Sequence, residues 1–193
     1  SRYIVNILLV IVSFGLIGFI DDYMKLNGNS NGMRPTVKLI TQVVVAFTSV
    51  FFLFSSILSP VETELVIPYT NNLTLQMGWL FIPFSIFVIV GSSNAVNLTD
   101  GLDGLAIMPT VMIATALGIF AYVAGNINMS DYLGVPYIKD AGEIFIICAA
   151  IAGSGLGFLW FNTYPAQVFM GDVGALSLGA ALGLIAVIVR QEL

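Results

Sequence analysis

The chain has 193 residues, of which 58% are hydrophobic and 9% charged, with a net charge of −5 and a mean hydropathy of +0.99. Roughly a quarter of an ordinary soluble domain is charged, so a water-solvated globule is excluded, and the acidic balance gives no reason to expect nucleic-acid binding. Histidine is absent, which removes imidazole acid–base chemistry and His-ligated zinc, and the single Cys148 offers neither a disulfide framework nor a metal cluster.

In chain order, six apolar segments come near the roughly 20 residues that cross a hydrocarbon core. They lie at about 3–20 (A), 37–58 (B), 79–96 (C), 105–124 (D), 143–162 (E) and 174–190 (F), and the fold predicted is an all-α, polytopic bundle forming one transmembrane domain over 1–193. Segment A has no basic region before it and no small-residue cleavage site, so it reads as a span rather than a signal peptide. Opening at Ser1, the chain reads as a piece of a longer protein. Between B and C, Leu65, Val66, Ile67 and Tyr69 followed by Leu73, Thr74 and Leu75 around Asn71-Asn72 suggest a small hairpin. Pro83 and Pro109 read as local helix distortions. Gly153 with Gly157, and Gly179 with Gly183, have the four-residue spacing that lets membrane helices approach closely.

Lys25, Arg34 and Lys38 flank the A–B connection, whereas the B–C connection carries Glu62 and Glu64, so the A–B side is expected to be cytoplasmic; Lys139 on the opposite side argues weakly the other way. Parity then places the A–B, C–D and E–F junctions on one face, whichever face that is. Those junctions contain Asp21 and Asp22, then Asp100 and Asp103, then Asp172, five of the eleven acidic residues.

Each junction has an ordinary explanation when taken alone. Asp21-Asp22 with Lys25 is a charged helix end, cheap at an interface; Thr99 or Asp100 would cap segment D, and Asp172 would cap segment F. Capping accounts for one aspartate of the second junction, not for Asp100 and Asp103 together with Asn97. Five carboxylates on one face need compensation. Magnesium takes oxygen ligands, commonly one or two carboxylates plus substrate phosphates, and the remaining carboxylates serve as base or bind sugar and nucleobase. The residues by themselves therefore point to metal-dependent phosphoryl transfer at a membrane surface.

Asp21-Asp22-Tyr23-Met24-Lys25, the run Asn94 to Gly104, and Phe158 to Asn162 with Phe169-Met170-Gly171-Asp172-Val173-Gly174 resemble the signature blocks of the phospho-N-acetylmuramoyl-pentapeptide transferase family. That family is a branch of the polyprenyl-phosphate N-acetylhexosamine-1-phosphate transferases, and the likeness covers nearly the whole chain. The resemblance implies transfer of phospho-MurNAc-pentapeptide from UDP-MurNAc-pentapeptide to undecaprenyl phosphate with Mg2+, yielding lipid I and UMP, the first membrane step of peptidoglycan synthesis. It implies a bacterial inner-membrane location with the site on the cytoplasmic face, and it allows a homodimer. Carried over, Asp172 is the magnesium ligand, Asp21 the base toward the lipid phosphate, Asp22 its partner, and Lys25 a phosphate contact. Asn97, Asp100, Asp103 and Asn162 match positions around nucleotide and metal, and Phe169 an aromatic that stacks on uracil.

Family members have about ten membrane helices and a histidine cluster on a later loop, against six segments and no histidine here. The 27–32 stretch is also less basic than the family pattern. The nearest alternative is a sister enzyme that transfers GlcNAc-1-phosphate. An ion-coupled transporter is disfavoured, because neither internal repeat nor midplane charge is seen, and a purely structural scaffold leaves the converging aspartates unexplained.

Overall fold

The computed structural model describes residues 1–27, 32–55, 64–66 and 74–191. Among them, six helices are long and apolar enough to cross a membrane: α1 (Arg2–Leu26), α2 (Pro35–Ser55), α3 (Phe81–Thr99), α4 (Ile107–Ala124), α6 (Ile144–Asn162) and α7 (Gly171–Val189). A helix satisfies its own backbone groups where no water can, which is why apolar segments of this length take that form in lipid. At 1.5 Å per residue, the 25 residues of α1 extend about 37 Å. That exceeds a hydrocarbon core of about 30 Å, so the last two turns, with Asp21, Asp22 and Lys25, approach headgroup depth.

Tyr3, Ile7, Val10, Phe14, Ile17 and Asp21 recur every three or four residues as the buried stripe of α1, while Leu9, Val12, Leu16 and Phe19 point outward. The most enclosed helix is α7, which buries Leu176, Ala180, Leu184, Ile185 and Ile188 and packs chiefly against α1 and α3; α4 packs chiefly against α6. Polar groups tie the helices inside the membrane. Asn6 Nδ2 donates to the Ser49 carbonyl (3.2 Å), Asn94 Nδ2 to Gln42 Oε1 (2.8 Å), and Ser93 Oγ to the Leu176 carbonyl (3.0 Å). Such intramembrane hydrogen bonds contribute about 0.6 kcal/mol each on average.

Several expectations are refined. Gly179 and Gly183 do allow close approach: a β-carbon at Gly179 would lie 2.6 Å from the Ser92 carbonyl oxygen, and one at Gly183 3.0 Å from the Ile89 α-carbon. Gly153 and Gly157 do not, since a β-carbon at either would have no neighbour from another helix within 4 Å among the described residues, and Gly155 fills that role by meeting Ile107 and Val111 of α4. The phase of α6 is set by its buried stripe Ile144, Cys148, Ile151 and Gly155, which turns the other two glycines away. Pro83 and Pro109 sit in the first turns of α3 and α4, where backbone N–H groups lack intrahelical partners anyway, so neither breaks a hydrogen bond.

Two strands, β1 (Glu64–Val66) and β2 (Thr74–Gln76), pair antiparallel with Leu65 opposite Leu75. Ile67, Tyr69, Asn71, Asn72 and Leu73 of the expected hairpin lie outside the described residues. A short helix between D and E, α5 (Ile127–Leu133), was not expected. Its signal is in the sequence: Asn126 caps it by accepting from the N–H groups of Asn128 and Met129, and Gly134 ends it at φ 65°.

Candidate active site and cation pocket

The C-terminal ends of α1, α3 and α6 meet the N-terminal ends of α2, α4 and α7, so the three aspartate-bearing junctions lie together. One carboxylate oxygen from each of Asp21, Asp22 and Asp172 falls within 4.8 Å of the others. Neighbouring anions at that separation repel, and two ammonium groups hold them. Lys25 Nζ lies 2.9 Å from Asp21, 3.2 Å from Asp22 and 2.9 Å from Asp172. Lys38 Nζ, from the first turn of α2, lies 3.1 Å from Asp21 and 2.7 Å from Asp172.

Each carboxylate is further oriented. Asp21, 3% exposed, accepts the Met33 N–H at 2.6 Å. Asp22 accepts the Val173 N–H at 3.4 Å, and Asp172 accepts Asn97 Nδ2 at 2.7 Å. Asp172 lies in the first turn of α7, whose N-cap is Met170, so the capping explanation fails for it; its negative charge there is favoured by the helix dipole. Capping fails likewise for segment D. Ala106 precedes α4 without a side-chain cap, and Asp100 instead ends α3.

Asp100 stands beside this cluster. Burial raises its pKa above the ordinary carboxylate value, the negative charges of Asp172 and Asp22 raise it further, and the Gly171 N–H opposes them. Asp103 and Asn162 do structural work in the connections. Asp103 Oδ2 accepts the Ala166 N–H at 3.0 Å; Asn162 Oδ1 accepts the Gly104 N–H at 3.0 Å, and its Nδ2 donates to the Val168 carbonyl at 2.8 Å. Together they clasp the α3–α4 and α6–α7 connections, which leaves Phe169 73% exposed beside the cluster's α7 wall.

The structure therefore brings Asp21, Asp22, Lys25, Asn97 and Asp172 into direct contact, sets Asp100 next to them, and uses Asp103 and Asn162 as loop clasps. Lys38 belongs to the same network although the motifs do not include it; its place in the first turn of segment B, opposite three acids, is the sequence signal. The backbone N–H of Met33 had no such signal.

Oxygen donors from three carboxylates suit a hard divalent cation such as Mg2+. Asp21, Asp22 and Asp172 would hold it, and the cluster's balance of three carboxylates against two ammoniums leaves one net negative charge to attract it. With a divalent cation the same groups carry net positive charge, the complement of a phosphate. The site thus has the parts to gather phosphates at a membrane surface and hold them against a metal and two ammoniums.

The model of glycosyl transferase family 4 matches residues 4–190 of the chain. The chain belongs to that family, which contains phospho-N-acetylmuramoyl-pentapeptide transferase and the related integral-membrane enzymes that transfer a sugar phosphate to a polyprenyl phosphate.

Proposed function

We propose that the protein transfers phospho-MurNAc-pentapeptide from UDP-MurNAc-pentapeptide to undecaprenyl phosphate, forming lipid I and UMP, with the site facing the cytoplasm. The observation that carries the transfer chemistry is the meeting of Asp172 with Asp21, Asp22, Lys25 and Lys38 at one membrane face. The choice of sugar rests on the three motif blocks. Orientation rests on Lys25, Arg34 and Lys38, all on that face.

In this reaction an oxygen of the lipid phosphate attacks the β-phosphorus of the donor. The new P–O bond gives the lipid diphosphate, and the bond between the donor's phosphates breaks with UMP leaving. Mg2+, when bound, neutralises phosphate charge and polarises the phosphorus. Lys25 and Lys38 hold phosphate oxygens and screen the approach of two anions, a task for which a compact ammonium on a flexible stem is suited. Asn97 orients Asp172 through its 2.7 Å hydrogen bond.

For removal of a proton from the lipid phosphate, the geometry favours Asp22 over Asp21. Asp21 has 4% side-chain exposure and two ammonium partners, whereas Asp22 has 31% exposure and one. Asp21 then acts by holding Lys38 and the Met33 N–H in place. Phe169 is exposed beside the site and stacks on the uracil.

The test is to offer the full-length protein undecaprenyl phosphate with either UDP-MurNAc-pentapeptide or UDP-GlcNAc and to measure UMP release. Turnover with the first supports the assignment. Preference for UDP-GlcNAc would replace it by the sister GlcNAc-1-phosphate reaction on the same acceptor.

A further inference from the structure

Three carboxylates on two helices form a cation pocket only if those helices are held at the right separation. Asp21 and Asp22 sit at the end of α1, Asp172 at the start of α7, and Gly18 lies three and four residues before the pair, on their side of α1. At Gly18 the two backbones touch. A β-carbon there would overlap the Asp172 carbonyl oxygen and would lie 2.5 Å from the Asp172 carbonyl carbon and 2.7 Å from the Val173 α-carbon. None of these is a side chain that can swing away. One turn deeper on the same seam, a β-carbon at Gly15 would meet only Ser177 Cβ at 3.8 Å and the Val173 carbonyl oxygen at 4.0 Å, ordinary contact distances.

We infer that Gly18 is a positioning residue for the cation: its missing side chain sets the distance between the Asp21–Asp22 pair and Asp172. This rests on the cation reading of the pocket given above. The magnitude decides why one methyl group matters. Restoring a 2.5 Å separation to the 3.4–4 Å of ordinary contact opens the seam by about 1 Å. Magnesium holds its oxygens at 2.0–2.1 Å in nearly rigid octahedral geometry, while calcium accepts 2.3–2.6 Å and looser arrangements. A 1 Å opening at Asp172 therefore exceeds what magnesium tolerates and approaches what calcium absorbs.

Gly171 supports the same arrangement from the other helix. It has φ +63°, a conformation that favours glycine, and a β-carbon there would lie 2.9 Å from Asp22 Oδ2. The turn into α7 thus lets Asp22 come close to the Val173 N–H that it accepts.

The experiment measures Mn2+ binding to the full-length protein in nanodiscs by electron paramagnetic resonance, with Mg2+ and Ca2+ as competitors and no donor or acceptor present. Gly18→Ala should weaken Mg2+ by about 10- to 100-fold, the range for changes that misplace metal ligands, and Ca2+ by clearly less, so that discrimination falls. Gly15→Ala should bind as the unsubstituted protein does. Gly118→Ala crowds Cys148 Cβ at 2.9 Å on the α4–α6 seam; it should lower the apparent melting temperature without changing cation affinity.

A folded Gly18→Ala protein with unchanged affinity and discrimination would overturn the inference, as would an equal loss in Gly118→Ala. If Gly18→Ala does not fold, Gly15→Leu wedges the same seam one turn deeper and must show the same loss of discrimination. Failure of the unsubstituted protein to bind Mn2+ would overturn the cation reading itself, and this inference with it.

Discussion

Replacing Lys38 by Met keeps the aliphatic stem and removes the ammonium that bridges Asp21 and Asp172 at 3.1 and 2.7 Å. All three side chains are shielded, at 17%, 4% and 16% exposure, so the contact is not discounted as a surface ion pair would be. Charged hydrogen bonds of this kind contribute about 1.5–3 kcal/mol net, and the cation-free protein should lose stability by about that amount. In a cation pocket the opposite follows for metal binding. Lys38 competes electrostatically with the metal, so Lys38→Met should bind Mn2+ more tightly, by about 10- to 100-fold if the metal assumes the whole of the lost role. Thermal unfolding of the purified protein in EDTA and in excess Mg2+ measures both effects together. The melting temperature should fall in EDTA, and the rise on adding Mg2+ should be larger than for the unsubstituted protein. An equal or smaller rise would refute the placement of Lys38 within the same pocket as the cation.

Asp172→Asn keeps the shape but loses the charge that faces Lys25, Lys38 and the metal; UMP release should fall by at least about 100- to 1,000-fold, as when a preorganised electrostatic contact is lost, and retained turnover would undo the metal assignment. Asp100→Asn tests the raised pKa. A carboxyl whose folded pKa is raised is penalised when ionised, so the penalty is present at neutral pH and disappears as pH falls through the raised value toward about 4. In EDTA, Asp100→Asn should therefore melt higher than the unsubstituted protein at pH 7, and the gap should close on acidification; a gap independent of pH would reject the raised pKa that burial and the charges of Asp172 and Asp22 give Asp100. Asn162→Ala removes two hydrogen bonds of a residue only 3% exposed and should cost about 1–3 kcal/mol in thermal unfolding. Phe169→Ala, at an exposed position, should leave stability unchanged and weaken donor binding by about 1–3 kcal/mol, read as a rise in KM for the UDP-sugar.

Six spans, their approximate bounds and the convergence of the aspartates are determined by the sequence alone. Apolar length is a local property that the bilayer reads directly, and parity needs no knowledge of packing. The motif blocks likewise identify the family, because each is a continuous run of residues, and the Asn126 cap and Gly134 stop of α5 are local signals of the same kind. Helix rotation and contact were decided only by the tertiary structure. Sequence spacing pairs Gly153 with Gly157 as readily as Gly179 with Gly183, but only the second pair faces a neighbour, because the buried stripe of α6 runs through Gly155. Asp103 and Asn162 read as ligand contacts in a motif, and only the structure shows that they also clasp the α3–α4 and α6–α7 connections. Lys38 and the Met33 N–H reach Asp21 from another helix and its preceding loop. Gly18 is one glycine among nineteen until α7 is laid against α1. The reason is common to all of these: chemistry at this site depends on separations of an ångström between segments far apart in the chain, which packing alone sets.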